Sequence, residues 1–356
     1  MAHALTLGRR GMGNAWPNPA VGCVLVQGDR VVARGWTQPG GRPHAEAMAL
    51  DQAGPLARGA TAYVTLEPCA HHGQTPPCAS ALAAAGVVRV VCPLQDPDER
   101  VAGRGFAILR AEGVTVDIGL MADRAQSDLA GFLLARTANR PLVTLKLATS
   151  LDGRIATATG HSQWITGPAA RRRGHVLRLS HDAVMVGAGT VRADDPLLTV
   201  RDMGALRQPV RVVLSRRLDL PLGRLAASIP DAPLWLIHGP DASEAARQAW
   251  SERGATLIEV AVEGRQIDLG AALRALAAAG LTRVLCEGGG QLAAGLMAAG
   301  LVDRMAVFTA GMAIGAEGLP AVGVLGLSQV DEAPRWRLMS DEPVGGDVLT
   351  QWERVD

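Results

Sequence analysis

Cysteine, aromatic side chains, net charge and long apolar runs are all scarce in this 356-residue chain, and each scarcity closes off a class of protein. Five cysteines in a chain of this length do not make a disulfide framework, so a reducing cytoplasm is the expected home. A formal net charge of +1 provides no overall basic field for nucleic acid or an anionic membrane. No apolar run approaches the roughly 18–20 residues of a bilayer span. Arg9 and Arg10 follow the short apolar stretch 4–7 instead of preceding a longer one, so no signal peptide is expected. With one tyrosine and three phenylalanines, apolar burial must rest on alanine, glycine, valine and leucine, the composition of a soluble globular protein. There is no internal repeat and no low-complexity segment. The length exceeds one ordinary core and predicts two domains.

The order of apolar periods and breakers predicts a layered α/β chain. Residues 2–10 carry a weak helical pattern, broken by Gly11, Gly13, Pro17 and Pro19. Residues 20–26 and 30–36 read as a hairpin joined at Gly28-Asp29. Helices are expected over 44–52, 78–85 and 106–112, and strands over 62–66, 87–92 and 114–118. The pattern restarts near 138–141, which sets the expected domains at 1–140 and 141–356. In the second half, strands are expected at 142–147, 183–186, 210–214, 234–237, 283–286, 305–309 and 348–352. Thr166 is the expected N-cap of a helix with Pro168 in its first turn, running to about Ser180, and a further helix spans 292–299.

One stretch declares its chemistry. His44-Ala45-Glu46 is followed by Pro68-Cys69 and then by Pro77-Cys78, with eight residues between the two cysteines. One imidazole and two thiols are the ligand set of a zinc site that keeps its fourth position open for water. H-x-E followed by P-C and a second Cys is the signature of zinc deaminases, in which the glutamate is the general acid/base. Zinc lowers the pKa of its water towards neutrality, and Glu46 is placed to move that proton to a ring nitrogen and then to the departing amine. A purely structural zinc would close its coordination, and His71 or His72 is the available fourth ligand. Glu67 is either a supporting residue of the site or a structural carboxylate. Cys23, Cys92 and Cys286 lie in apolar contexts and are expected to be buried and inert.

The second half carries a separate signal. Glu287-Gly288-Gly289-Gly290-Gln291-Leu292 joins a strand to a helix, where free N–H groups can hold a phosphate, but it is not the G-x-G-x-x-G fingerprint of a Rossmann fold. Ser215-Arg216-Arg217 follows a strand and suits either a 2′-phosphate clamp or a solvated basic loop. Asp194-Asp195-Pro196 caps a turn or lines a ligand crevice at a strand end.

Residues 18–105 resemble the deaminase domain of the bifunctional riboflavin-biosynthesis deaminase/reductase family. The resemblance lies in Pro17-Asn18-Pro19-Ala20-Val21-Gly22, Pro43-His44-Ala45-Glu46, Glu67-Pro68-Cys69 with His71, Thr75-Pro76-Pro77-Cys78, Asp96-Pro97 and 101–105. The eight-residue cysteine spacing belongs to that family, whereas two residues intervene in cytidine and tRNA-adenosine deaminases. It implies a cytidine-deaminase-like three-layer fold with Zn2+ on His44, Cys69 and Cys78, Glu46 as catalytic residue, and Asn18, His71 and Asp96 around the substrate or metal. The chain departs from that pattern at Gln74, usually a cation, and at Asp98, often Asn; Arg100 or Arg104 is the expected compensation for the phosphate. The family's first helix starts several residues earlier, so either Met1 is a late start or the helix here is short.

The second half resembles the same family's reductase domain, which is similar in fold to dihydrofolate reductase. The matching runs are 145–156, Gly160-x-Ser162-x-Trp164-Ile165-Thr166 and 187–199. The resemblance implies NADPH contacts at Ala148, Trp164, Thr190, Asp194, Ser215, Gly289, Gly290, Gln291, Leu292 and Gly295. It implies substrate contacts at Ser162, Arg178, Leu198, Arg201 and Glu287, with Arg178 and Arg201 suited to a ribose 5-phosphate. Asp194, Asp152 and Lys146 are the candidate acids for the reduction. The implied activity is deamination of 2,5-diamino-6-(5-phosphoribosylamino)pyrimidin-4-one followed by NADPH reduction of the ribosyl group. The partners expected are this small phosphoribosylaminopyrimidine and other copies of the chain in a homo-oligomer, with no nucleic acid and no membrane. The rivals are a nucleic-acid deaminase, disfavoured by the charge balance and the second half, and a non-catalytic zinc protein, disfavoured by the intact Glu46.

Overall fold

The computed structural model describes residues 1–71, 76–204 and 207–355. The chain divides into two compact units, Met1–Asn139 and Arg140–Asp356. Among the described residues no helix is long and apolar enough to cross a membrane.

The first unit holds α1 (Ala2–Gly8), β1 (Gly22–Gln27), β2 (Arg30–Trp36), α2 (Ala45–Ala53), β3 (Thr61–Val64), α3 (Cys78–Ala84), β4 (Arg89–Cys92), α4 (Arg104–Ala111), β5 (Thr115–Ile118) and α5 (Ala122–Thr137). Its sheet runs β2-β1-β3-β4-β5. The first three strands pair antiparallel and the last three parallel. The period of two along β1 sorts its side chains: Cys23 and Leu25 join the core with Ala45, Ala49 and Leu82, while Val24 and Val26 face Ala4 and Leu7 of α1. Helices therefore cover both faces, and the unit is three-layered. The helix expected at 2–10 ends as α1 at Gly8 and tightens into a 3-10 turn over Arg9–Gly11.

The second unit opens with β6 (Leu142–Ser150), β7 (Arg154–Ala156), α6 (Pro168–Leu179), β8 (Ala183–Gly187), α7 (Ala188–Asp194), β9 (Val210–Leu214), α8 (Arg224–Ala227), β10 (Leu234–His238), α9 (Glu244–Ser251) and β11 (Thr256–Glu259). It continues through β12 (Val262–Glu263), β13 (Gln266–Ile267), α10 (Leu269–Ala278), β14 (Arg283–Cys286), α11 (Gly290–Ala298), β15 (Arg304–Ala310), β16 (Leu319–Pro320), β17 (Trp336–Val344) and β18 (Asp347–Arg354). The main sheet runs β11-β10-β9-β8-β14-β6-β15-β18-β17, parallel from β11 to β15 and closed by an antiparallel pair. Strands β8, β9 and β14 are buried along almost all of their length because both faces are covered, and they are apolar but for Arg211 in β9 and Arg283 at the start of β14. Since β14 enters between β8 and β6, the carboxyl ends of these three strands surround one crevice, where α/β sheets bind ligands.

Two expected boundaries move. Gly167, not Thr166, is the N-cap of α6, because Gly167 adopts the extended conformation and gives its N–H to the Asp347 carboxylate at 2.7 Å. Residues 188–194, given no element in the sequence analysis, form α7.

Candidate active sites

In the first unit the candidate metal ligands arrive from three elements. His44 is the N-cap of α2, Cys78 begins α3, and Cys69 lies in the loop after β3. Gly35 of β2 makes this possible, since a Cβ there would stand 2.1 Å from the Ala45 carbonyl oxygen at the start of α2. Nδ1 of His44 lies 3.7 Å from Cys69 Sγ and 3.4 Å from Cys78 Sγ. All three ligand atoms fall within 4.8 Å of one another. Tetrahedral zinc with ordinary Zn–S and Zn–N bonds puts such atoms about 3.6 Å apart. The donor set therefore fits zinc, with one position left over. His71 is not part of this cluster, and His72, like Gln74, lies outside the described residues.

The electrostatics suit the same task. The Cys78 thiol, its backbone N–H at 3.2 Å and the His44 ring hold the Cys69 thiol down at about 4. Cys78 is pushed up by that thiolate, so the pair shares one proton, and metal binding releases it. Glu46, in the first turn of α2, is only 4% exposed, and burial lifts its carboxyl to about 7. A carboxyl poised there can both take and return a proton at neutral pH.

A solvent-open cleft of about 700 Å³ exposes Glu46, His44 and Cys69 to a wall containing Asn18, His71, Asp96 and Asp98. Asn18 is held by its Nδ2 donating to the Gly41 carbonyl at 2.9 Å; Gly41 has φ +83°, and any Cβ there would strike Asn18. His71 Nδ1 is buried without a partner among the described residues. Burial raises the Asp96 carboxyl to about 6. Its backbone N–H donates to Glu67 at 3.1 Å. Glu67 also accepts from the N–H groups of Gly103, Gly105 and Phe106, so this carboxylate is structural: it ties the Asp96 loop to the start of α4. Of the two cations expected to compensate for Gln74, Arg100 lines the cleft, whereas Arg104 is exposed on α4 outside it. Arg136 and Phe132 of α5 also line the cleft, and the sequence reading passed over them. Their helix was legible in Ala125, Leu129 and Phe132 at i, i+4 and i+7.

In the second unit, the turn after β14 places Gly289 as the N-cap of α11 with no side chain satisfying the first N–H groups. A Cβ at Gly189 would meet nothing within 4 Å, and one at Gly289 only the Thr190 hydroxyl at 3.9 Å. An open space bounded by α7 and free N–H groups fits a dinucleotide phosphate. Gly290 is needed for a close approach, since its Cβ would stand 2.7 Å from the Pro320 carbonyl oxygen. Gln291 follows it in the first turn. Leu292 and Gly295 pack inward, against Gly288 and Leu269 respectively. Ser215 is buried at the end of β9, and Arg216 and Arg217 share the Asp241 carboxylate at 3.4 and 3.2 Å. Ala148 lies on β6 beside the Ala170–Phe308–Leu349 cluster. Trp164 is 62% exposed, with Arg171 stacked 4.5 Å from its ring, and Ser162 is two residues away in the same loop.

Arg178 departs from the expectation of a free phosphate ligand. Its Nε and Nη2 make a forked ion pair with Glu287 at 2.6 and 3.0 Å, and its Nη1 donates to the Thr199 carbonyl at 2.6 Å. The guanidinium is committed, so it shapes the wall that also carries Leu198, a buried residue with φ +57°. The Arg201 guanidinium, by contrast, has no partner among the described residues, and it is exposed. Asp152 is removed from the candidate acids. The Ser150 hydroxyl and the N–H groups of Gly315 and Ile314 hold it at about 2, so it has no proton to give near neutrality. Burial lowers Lys146, beside Glu287 and Arg178, and raises Asp194 at the end of α7. Cys23, Cys92 and Cys286 are fully buried, as expected.

The chain was compared with known proteins. Residues 1–94 match the cytidine and deoxycytidylate deaminase zinc-binding region, and residues 141–350 match the RibD C-terminal domain. The riboflavin biosynthesis protein RibD of Escherichia coli (strain K12) is 41% identical over 361 residues, covering 98% of this chain and 96% of its own. That of Aquifex aeolicus (strain VF5) is 38% identical, covering 99% and 97%. Among solved structures, Acinetobacter baumannii RibD, form 1, superposes with a TM-score of 0.90 at 36% identity, covering all of this chain and 98% of its own. A deaminase/reductase from Thermotoga maritima superposes at 0.86 with 32% identity, covering 100% and 97%. Because the likeness runs through both units and nearly end to end, the chain belongs to the RibD family of bifunctional riboflavin-biosynthesis proteins.

Proposed function

We propose that residues 1–140 deaminate 2,5-diamino-6-(5-phosphoribosylamino)pyrimidin-4-one and that residues 141–356 then reduce its ribosyl group to ribityl, giving 5-amino-6-(5-phosphoribitylamino)uracil. The convergence of His44, Cys69 and Cys78 beside a buried, proton-holding Glu46 in an open cleft carries this reading. Zinc, when bound, acidifies water and so supplies the nucleophile. Glu46 would carry one proton of the water to the ring nitrogen and then pass the proton of the new hydroxyl to the exocyclic amine, which leaves as ammonia as its bond to the ring carbon breaks. Asn18, His71 and Asp96 orient the pyrimidine.

NADPH, when bound, supplies the hydride. The first N–H groups of α11 at Gly289, Gly290 and Gln291 face its phosphates, Thr190 and Asp194 of α7 lie opposite, and Trp164, Ala148, Leu292 and Gly295 complete the expected contacts. Ser215, with the arginines that follow it, faces the 2′-phosphate. Ser162, Arg178, Leu198, Arg201 and Glu287 form the substrate wall, and Arg201 is the cation free to meet its phosphate. Lys146 or Asp194 provides the proton that accompanies the hydride. We place the protein in the cytoplasm, in keeping with its five free cysteines, and as a homo-oligomer, for which the half-exposed Leu338 and Met339 on the edge strand β17 offer apolar surface.

The deciding experiment supplies purified protein with the diaminopyrimidine phosphate, with and without NADPH. Ammonia release without NADPH, followed by NADPH consumption on its addition, is required. Glu46→Gln is expected to stop ammonia release while retaining zinc and the reduction of pre-deaminated intermediate. Loss of both activities in a folded variant would sink the two-site reading.

A further inference from the structure

The deaminase cleft carries cationic charge that chemistry at the ring does not use. Arg100 Nη2 and Arg136 Nε approach the same oxygen of Asp98, at 2.6 and 3.6 Å. The Asp98 side chain is only 10% exposed, while those of Arg100 and Arg136 are 60% and 37% exposed. One carboxylate thus sits between two guanidinium groups that keep open edges. Arg100 is steered from several directions, since its backbone N–H and Nε both donate to the other Asp98 oxygen, at 3.0 and 2.9 Å. Arg136 is steered by the Phe132 ring one turn earlier on α5, 5.3 Å from its guanidinium carbon. Among the described residues Arg136 donates no hydrogen bond, so its fork is uncommitted. The third guanidinium of the lining, Arg42, acts on the His44 ring and belongs to the metal end.

We propose that Arg136, together with Arg100, forms the subsite for the phosphate monoester of the deaminase substrate, with Asp98 as the carboxylate that spaces and orients the two forks. The proposal rests on the deaminase reading of the cleft. Two guanidinium groups against one ionised carboxylate leave a net positive charge for a phosphate dianion, and a planar fork binds its oxygens bidentately.

The test measures ammonia release from the diaminopyrimidine phosphate and from its dephosphorylated nucleoside by wild type, Arg136→Gln, Arg136→Lys and Arg100→Gln. Zinc content and reduction of pre-deaminated intermediate report the folding of each variant. Arg136→Gln is expected to raise KM for the phosphate substrate by about tenfold or more while changing kcat less than about twofold. It should weaken inhibition by inorganic phosphate by a similar factor, and its effect should shrink to under about twofold on the nucleoside. Arg136→Lys should recover part of the loss, since it keeps charge without the fork. An equal loss on both substrates, or an unchanged KM, overturns the subsite; if Arg136→Gln does not fold, Arg136→Lys and Arg100→Gln decide by the same comparison. Wild type releasing ammonia from neither substrate brings down the deaminase reading and this proposal together, whereas ammonia release with an Arg136-insensitive KM brings down only the subsite.

Discussion

Three carboxyls in the deaminase cleft differ in protonation because their surroundings differ. Burial lifts Glu46 to about 7 and Asp96 to about 6, while hydrogen bonds from Arg100 hold Asp98 at about 2, two residues from Asp96. A fourth, Glu287 in the second unit, is largely buried beside Arg178, which outweighs that burial and holds it at about 2. Removing its charge would strand Arg178 and Lys146 without a counterion. Glu287→Gln is therefore expected to destabilise the protein by about 3–5 kcal/mol, the cost of breaking a buried pair, read from the shift of the urea midpoint. A loss below about 1 kcal/mol would mean that the pair is hydrated and behaves as a surface one.

At the scale of elements, much depends on carboxylates that fasten backbone. Glu67 accepts from Asp96, Gly103, Gly105 and Phe106, and Gly105 must be glycine because a Cβ would stand 2.0 Å from the Pro68 carbonyl oxygen. The loop bearing Asp96, Asp98 and Arg100 is thus clamped to the residue next to Pro68-Cys69. Glu67→Ala should cost about 3 kcal/mol and raise the KM for deamination, while Glu67→Gln, which keeps one acceptor oxygen, should cost less. Thermal unfolding and ammonia-release kinetics check both, and equal effects of the two variants would show that the charge, not the hydrogen bonds, matters. Asp195 does comparable work in the second unit: it ends α7 at φ +40° and caps α8 by accepting from the N–H groups of Arg224 and Leu225. The sequence reading allowed Asp194-Asp195-Pro196 to be a turn cap, and at Asp195 that is what it is.

Across the second unit, His181 links three parts of the fold. Its Nδ1 meets the Leu177 carbonyl near the end of α6 at 2.7 Å, and its Nε2 meets the Thr144 hydroxyl of β6 at 2.8 Å. The next residue, Asp182, accepts from the N–H and hydroxyl of Thr282 and the N–H of Arg283 at the start of β14. Burial, with Arg283 adding to it, lowers His181 from 6.5 to about 3, so the native state keeps the ring neutral while the unfolded chain protonates it. Its stabilising effect is whole above pH 6.5 and is lost progressively as the pH falls towards 3, by up to about 4 kcal/mol. Asp182, raised by burial, acts in the opposite sense, so the comparison is made against a His181→Asn variant. The wild-type stability should fall towards that of the variant between pH 6.5 and 3; parallel curves would show that His181 does not titrate in the unfolded chain as assumed.

The metal site and the class of the fold were legible in the sequence because they rest on local rules. His44, Glu46, Cys69 and Cys78 are read from residue type and short spacing, and the strands from periods of two that any packed sheet must keep. What only the tertiary structure decided depends on contacts between distant segments. Arg178 could be singled out as a ligand candidate, but its commitment to Glu287 joins residues 109 apart, which no local pattern encodes. Asp152 looked like a free acid until the N–H groups of Ile314 and Gly315 arrived from 162 and 163 residues away. Arg136 lay on a helix of ordinary amphipathic pattern, and only the packing of α5 over the sheet brings its charge to the cleft beside Asp98. Local sequence specifies which chemical groups exist and how the backbone runs; which of them remain free to meet a ligand is settled by the partners that folding brings to them.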